Sequence, residues 1–235
     1  MDDLSLRLPV RRLRAAYRTL CRAYGPQDWW PGDTPFEIMV GAVLTQNTAW
    51  SNVERAIANL KAQHALGPRA ITEAPLPRLA QWIRPSGYFN VKARRLRSFC
   101  LWYREAGGLR KLSRRPTARL REALLAVHGV GPETADDILL YAFRRPVFVI
   151  DAYTRRIFAR LGLIEGREPY ETLRAGFERA LGADAALFNE YHALLVIHGK
   201  GVCRPRPRCG ECALRRSCPP ARAGTGETGS SGDGR

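Results

Sequence analysis

The stretch Leu125–Arg156, LAVHGVGPETADDILLYAFRRPVFVIDAYTRR, decides how the rest of the chain is read. It predicts a short helix, a tight Gly129-Val130-Gly131 turn, a second helix, a buried apolar run, and an aspartate, Asp151, that opens a third helix. Glycine lets a backbone approach another chain closely, because no Cβ stands in the way. The turn also opens a helix, whose free N–H groups and positive dipole end suit a phosphate. The hairpin, from Gly129, Val130 and Gly131 to Thr134, is therefore expected to grip a nucleic-acid backbone, with Asp151 facing what the grip presents. A Gly-x-Gly turn also serves helix packing alone, and Asp151 is equally a natural N-cap. The rest of the chain has to decide between these uses.

Downstream, Cys203-x5-Cys209-x2-Cys212-x5-Cys218 sets four thiols in a loop too short to fold around a core of its own. Structural zinc sites more often pair two short Cys-x2-4-Cys knuckles across a longer spacer. One central Cys-x2-Cys with outlying partners on both sides suits a [4Fe–4S] cluster better, with zinc the alternative. Arg204, Arg206 and Arg208 alternate with prolines between the first two cysteines. Such an extended loop is expected to hold its charges outward, towards DNA phosphates. Lys200, just before it, is assigned to the same backbone contact or to the pocket.

Upstream, Leu4–Tyr24 carries apolar residues at helical spacing among arginines, which predicts a basic amphipathic helix. The loop that follows holds Trp29 and Trp30, placed either to stack on an extruded base or to plug the core. Thr34-Pro35-Phe36-Glu37 is a capping box with proline at the first helical position, and it opens a helix apolar nearly all round. That helix ends in the polar tip Gln46-Asn47-Thr48-Ala49-Trp50, where Gln46 or Asn47 is expected to fill the gap left by a displaced base, and Trp50 to wall its pocket. Lys92, Arg94, Arg95 and Arg97 crowd the start of a further helix, against its dipole, and Lys92 is assigned to DNA phosphates. Further helices are expected at Tyr170–Leu181 and Ala185–His198. Val147–Ile150 is the one strand-like run and too short to build a sheet, so the class is all-α. The Gly- and Ser-rich end, 219–235, is expected to be disordered.

The 235 residues include 38 Lys plus Arg against 22 Asp plus Glu, a net charge of +16 that argues for a polyanionic partner. No apolar run approaches the length needed to span a bilayer, so no membrane partner is expected. The first twenty residues lack an uninterrupted hydrophobic stretch and a cleavage site, which predicts a cytoplasmic protein, nucleoid-associated if bacterial; a monomer is expected.

Taken together, the hairpin, the aspartate 18 positions beyond Glu133 and the four-cysteine loop resemble the helix-hairpin-helix DNA glycosylase superfamily, specifically its endonuclease III-like members. The resemblance runs from about Thr34 to Cys218. In that family the hairpin reads GVGxKTA and an apolar run leads to the catalytic aspartate; here stand Gly129-Val130-Gly131-Pro132-Glu133-Thr134-Ala135 and Val149-Ile150-Asp151-Ala152. It implies a two-lobed fold, with a six-helix barrel domain at 33–145 and an iron–sulfur cluster domain from 1–32 and 146–218, the active site lying in the cleft between. The family's first cysteine spacing is usually x6, and here it is x5.

Glu133 is the departure that matters. Bifunctional members carry a lysine there, which attacks the sugar and forms a Schiff base before strand cleavage. A carboxylate cannot form that imine. The expected activity is therefore monofunctional removal of a damaged base from double-stranded DNA, with Asp151 as catalyst and Glu133 lining the pocket. Trp29-Trp30-Pro31 and Gln46-Asn47-Thr48 look most like the 3-methyladenine glycosylase branch. Two other readings stand beside it: a glycosylase for mismatched or oxidised pyrimidines, and a non-catalytic binder of abasic or distorted DNA.

Overall fold

The structure, a computed structural model, describes residues 6–27, 29 and 32–223. These fall into two compact units, with boundaries after Trp29 and after Arg145. All regular structure among the described residues is helical. None of these helices is long and apolar enough to cross a membrane.

The central unit opens with α2 (Pro35–Leu44), following α1 (Val10–Tyr24) of the other unit. The predicted cap is present: the Thr34 hydroxyl accepts the Glu37 N–H at 3.1 Å. Met39 to Leu44 are all buried, which is why α2 shows no apolar stripe. Next to it stand α3 (Trp50–Ala62) and α6 (Phe89–Glu105), and α4 (Pro68–Glu73) and α5 (Leu76–Trp82) pack on α6. Then come α7 (Gly108–Leu112), α8 (Thr117–Leu125) and α9 (Pro132–Asp137), the last running on as a π-helical turn, Ile138–Ala142. Both α6 and the π turn pack on α2, the turn being buried throughout. Widening the helix there keeps five consecutive residues, ILLYA, in apolar surroundings.

The other unit joins α1 to α10 (Ala152–Arg160), α11 (Tyr170–Leu181), α12 (Ala185–Gly201) and α13 (Pro219–Arg222). Its core is aromatic: Phe148 stacks on Phe177 at 4.6 Å, and Phe158, Phe188 and Tyr191 close around them. Helix α1 starts at Val10 rather than Leu4, because Pro9 holds an extended conformation and serves as the N-cap. Leu4 itself lies outside the described residues.

Val147–Ile150 is buried and pairs with no strand among the described residues. Side chains satisfy its backbone instead: Phe148 N–H donates to Glu178 at 3.0 Å and Ile150 N–H to the Tyr170 hydroxyl at 3.4 Å. The β-favouring residues thus serve to carry the chain through the core to Asp151. The expected disordered tail is corrected at its start, where Pro219–Arg222 form α13 with Ala221 buried; residues 224–235 lie outside the described residues.

Candidate active site

In the central unit the hairpin is built as the sequence predicts, by α8, the Val127–Gly131 turn and α9. Gly129 has φ of +87°, and a Cβ there would lie 2.2 Å from the Arg95 side chain. Only glycine meets both conditions. Gly131 caps α9 in extended conformation and is open, with nothing within 4 Å of its Cβ position. Beneath the turn, Arg121 on α8 holds Asp136 on α9 through a bidentate pair, 2.6 Å from Nε and 3.1 Å from Nη2. Asp136 is fully buried. Val130 and Thr134 are buried too, while Glu133 is exposed in the first turn of α9.

The tip after α2 is tied to this hairpin. Gln46 donates from Nε2 to the Gly129 carbonyl and the Thr134 hydroxyl, each at 3.0 Å, and accepts from Arg95 at 2.5 Å. Its amide therefore braces the turn and does not stand out as a wedge, which corrects the expectation for Gln46. Asn47 is exposed and left-handed, with φ of +53°. Trp50 is half-buried and donates to Glu54 at 2.9 Å.

Lys92 is also corrected. Its ammonium is 1% exposed and donates to the Leu44 carbonyl at 2.8 Å and the Ser86 carbonyl at 2.5 Å. A phosphate has no access to it. Burial, with Arg95 nearby, lowers its pKa to about 8. The cation sits at the C-terminal carbonyls of α2, where a helix dipole favours it. Arg94, two positions on, is the exposed member of that basic run.

In the other unit Asp151 caps α10: its Oδ1 accepts the Thr154 N–H at 2.6 Å. The carboxylate is buried, and its Oδ2 stands 3.4 Å from Nε2 of His192, on α12. Burial alone pushes such a group up; His192 and Thr154 outweigh it and hold Asp151 below the ordinary carboxylate value. Sequence reasoning did not single out His192. Trp29 is half-buried, with the Lys200 ammonium 5.9 Å from its ring centre. Trp30 lies outside the described residues.

The cysteine loop follows α12 directly. Cys203, Cys209 and Cys218 are buried, Cys212 partly so, and none forms a disulfide. The four sulfurs are near enough for the other three to act electrostatically on Cys212. Arg160 donates to Cys203 Sγ at 3.3 Å and to the carbonyls of Arg204 and Pro205. This anchors the loop backbone and leaves the side chains of Arg204, Arg206 and Arg208 exposed. His198 lies 3.6 Å from Cys212 Sγ and 2.7 Å from the Tyr24 hydroxyl, and burial lowers its pKa to about 4. No ready-formed metal shell of three or more His, Cys, Asp or Glu side chains occurs among the described residues.

One unit thus holds a glycine hairpin with a braced turn, and the other a buried carboxylate that caps a helix. The family model "HhH-GPD superfamily base excision DNA repair protein" matches residues 40–182. The chain belongs to this superfamily. A protein of Methanocaldococcus jannaschii described as a putative DNA repair glycosylase is 44% identical to this glycosylase over 205 residues, covering 86% of this chain and 93% of its own. An endonuclease III in a non-covalent DNA complex shares the fold, with a TM-score of 0.79 at 21% identity, covering 93% of this chain and 99% of its own. The H. pylori 3-methyladenine DNA glycosylase bound to 1,N6-ethenoadenine superposes with a TM-score of 0.67 at 30% identity, over 81% of this chain and 95% of that one. An endonuclease III of Thermotoga maritima is 32% identical over 185 residues, 78% of this chain and 82% of its own, so the glycosylase is endonuclease III-like, all-α and a base-excision repair protein.

Proposed function

We propose that this glycosylase is monofunctional: it hydrolyses the N-glycosidic bond of an alkylated purine such as 3-methyladenine in double-stranded DNA and leaves the strand intact. The observation that carries the reading is Glu133, a carboxylate in the first turn of α9, at the position of the resembling family's Schiff-base lysine. A carboxylate offers no amine for an imine. The likeness to a 3-methyladenine glycosylase at 30% identity supports the alkylpurine class.

The hairpin amides and the exposed Arg94, Arg204, Arg206 and Arg208 hold the phosphates, with Lys200 beside them. Asn47, exposed and left-handed, replaces Gln46 as the residue that enters the vacated stack. Trp29 and Trp50 offer aromatic faces to the extruded base, and a cationic alkylpurine gains roughly 0.5–2 kcal/mol on such a face. The bond from C1′ to nitrogen breaks with its electron pair going to the base, which neutralises the base's positive charge, so little acid assistance is needed. Asp151 stabilises the positive charge that develops on the sugar. A water oxygen then bonds to C1′ and releases its proton to solvent. Glu133 lines the pocket.

Cys203, Cys209, Cys212 and Cys218 would hold a [4Fe–4S] cluster. Four soft sulfur donors, largely buried and faced by the Arg160 guanidinium, suit a thiolate-bound group. These four thiolates would tie the basic loop to the segment that follows it, and the group they held would be scaffold, not a substrate site. A brown protein with iron and sulfide in equal amounts is the expected result; a colourless zinc protein would replace the cluster by zinc.

Asp151→Asn tests the chemistry. Base release should become very slow, measurable only in single turnover, while binding to an abasic-site duplex stays within a few-fold of the parent. Turnover close to that of the parent would remove Asp151 from the reaction.

A further inference from the structure

The reading of Asp151 leaves unexplained how a carboxylate with almost no solvent contact stays ionised and fixed. A backbone donor faces one of its oxygens and an imidazole the other. Oδ1 is committed to the Thr154 N–H at 2.6 Å, as an N-cap. Oδ2 faces Nε2 of His192 at 3.4 Å. His192 is itself 4% exposed and lies on α12, which packs along α10. It shares the inner stripe of α12 with Phe188, Tyr191 and Leu195, all fully buried. A ring wedged in that stripe has little freedom to leave the carboxylate. Tyr153 also lies near enough to feel the Asp151 charge, and Arg156 lies over its ring at 5.2 Å.

We propose that His192 is the positioning residue of this active site: it clamps Asp151 Oδ2, so that Asp151 acts as a fixed negative charge under the sugar and not as the acceptor of the water's proton. The proposal rests on Asp151 being the catalytic carboxylate, and it deepens that reading. A carboxylate with one oxygen bonded to a backbone N–H and the other at ion-pair distance from an imidazole is a poor proton acceptor, yet it keeps its full charge in surroundings of low dielectric. That is the arrangement an electrostatic stabiliser of a sugar cation needs. Without the imidazole, Oδ2 is left buried without its ion-pair contact. Asp151 then either takes up a proton or swings towards water, and in both cases the charge leaves its place.

The test is single-turnover release of 3-methyladenine from methylated duplex DNA, together with affinity for a duplex holding a stable abasic analogue. His192→Leu should slow release roughly ten- to a hundredfold, the worth of one polar contact to a buried charged group, with abasic-duplex affinity unchanged within about twofold. His192→Gln, whose amide still offers a donor, should recover most of the rate. The double variant His192→Leu with Asp151→Asn should be no slower than Asp151→Asn alone, because His192 acts only through Asp151. Multiplying effects in the double variant, a parent-like rate for His192→Leu, or a glutamine variant as slow as the leucine one would each overturn the proposal. If the leucine variant does not fold, the glutamine variant and imidazole ¹⁵N shifts decide. Those shifts should differ between the parent and Asp151→Asn, and identical spectra would show that the pair does not exist. A parent protein that releases no base sinks the functional reading itself, while the ¹⁵N comparison still reports on the pairing.

Discussion

Replacing Arg121 by methionine tests how the hairpin is held. The guanidinium makes two hydrogen bonds to Asp136, at 2.6 and 3.1 Å, and joins the two arms of the motif from beneath. The Arg121 side chain is 13% exposed and that of Asp136 0%. Removing one partner of a buried pair leaves the other charge uncompensated, at a cost of about 3–5 kcal/mol. Arg119 and Glu122, one turn away, are paired at 2.9 Å with side chains 76% and 70% exposed. Breaking that pair by Arg119→Ala should cost at most about 1 kcal/mol. Urea unfolding followed through tryptophan fluorescence reads the difference, since Trp50, Trp82 and Trp102 all belong to this unit. Combining Arg121→Met with Asp136→Leu should recover most of the loss, because two apolar residues of suitable size replace a buried pair at little cost. A single variant that loses no more than the surface control, or a double variant no better than the single one, would refute the reasoning.

Three further outcomes follow from the same structure. Gly129→Ala puts a Cβ 2.2 Å from Arg95 at a φ of +87°, so it should lower the melting temperature and weaken duplex binding together; unchanged binding would show that the turn only packs helices. Lys92 binds its proton less tightly in the folded protein than in the unfolded chain, so between pH 8 and 10.5 the unfolded state holds more protons. The parent should therefore gain stability relative to Lys92→Met as pH rises through that window, and a constant difference in urea midpoints would argue against a buried ammonium. Glu133→Lys restores an amine to the hairpin helix, and borohydride should then trap a covalent DNA adduct that the parent does not form.

The sequence carried the helical class, the Thr34 cap, the hairpin and the role of Asp151 as a helix cap, because each depends on neighbours within a few residues. What it did not carry depends on which way a side chain faces. Lys92 was expected at DNA phosphates because it stands among three arginines. Its register told otherwise: Lys92, Leu96, Phe99 and Tyr103 lie on one face of α6, the buried one. Gln46 was expected to project because it ends a buried helix, and the bonds that turn it inward come from Gly129, Thr134 and Arg95, far along the chain. His192 stayed hidden for a related reason. On an α12 that is apolar nearly all round, one histidine looks like any core residue until α10 brings Asp151 to it. Val147–Ile150 was legible in composition, but its purpose as a buried lead to Asp151 needed Glu178 and Tyr170 in place.

The central claim is that this enzyme cuts the sugar–base bond and stops there. The most direct measurement incubates the iron-loaded protein with methylated duplex DNA and follows free base and strand breaks in the same samples, before and after alkali. The account predicts stoichiometric free 3-methyladenine, intact strands before alkali, and breaks at the same sites afterwards. Breaks that accompany base release without alkali would mean that an amine of this chain does the work assigned here to water and a fixed carboxylate.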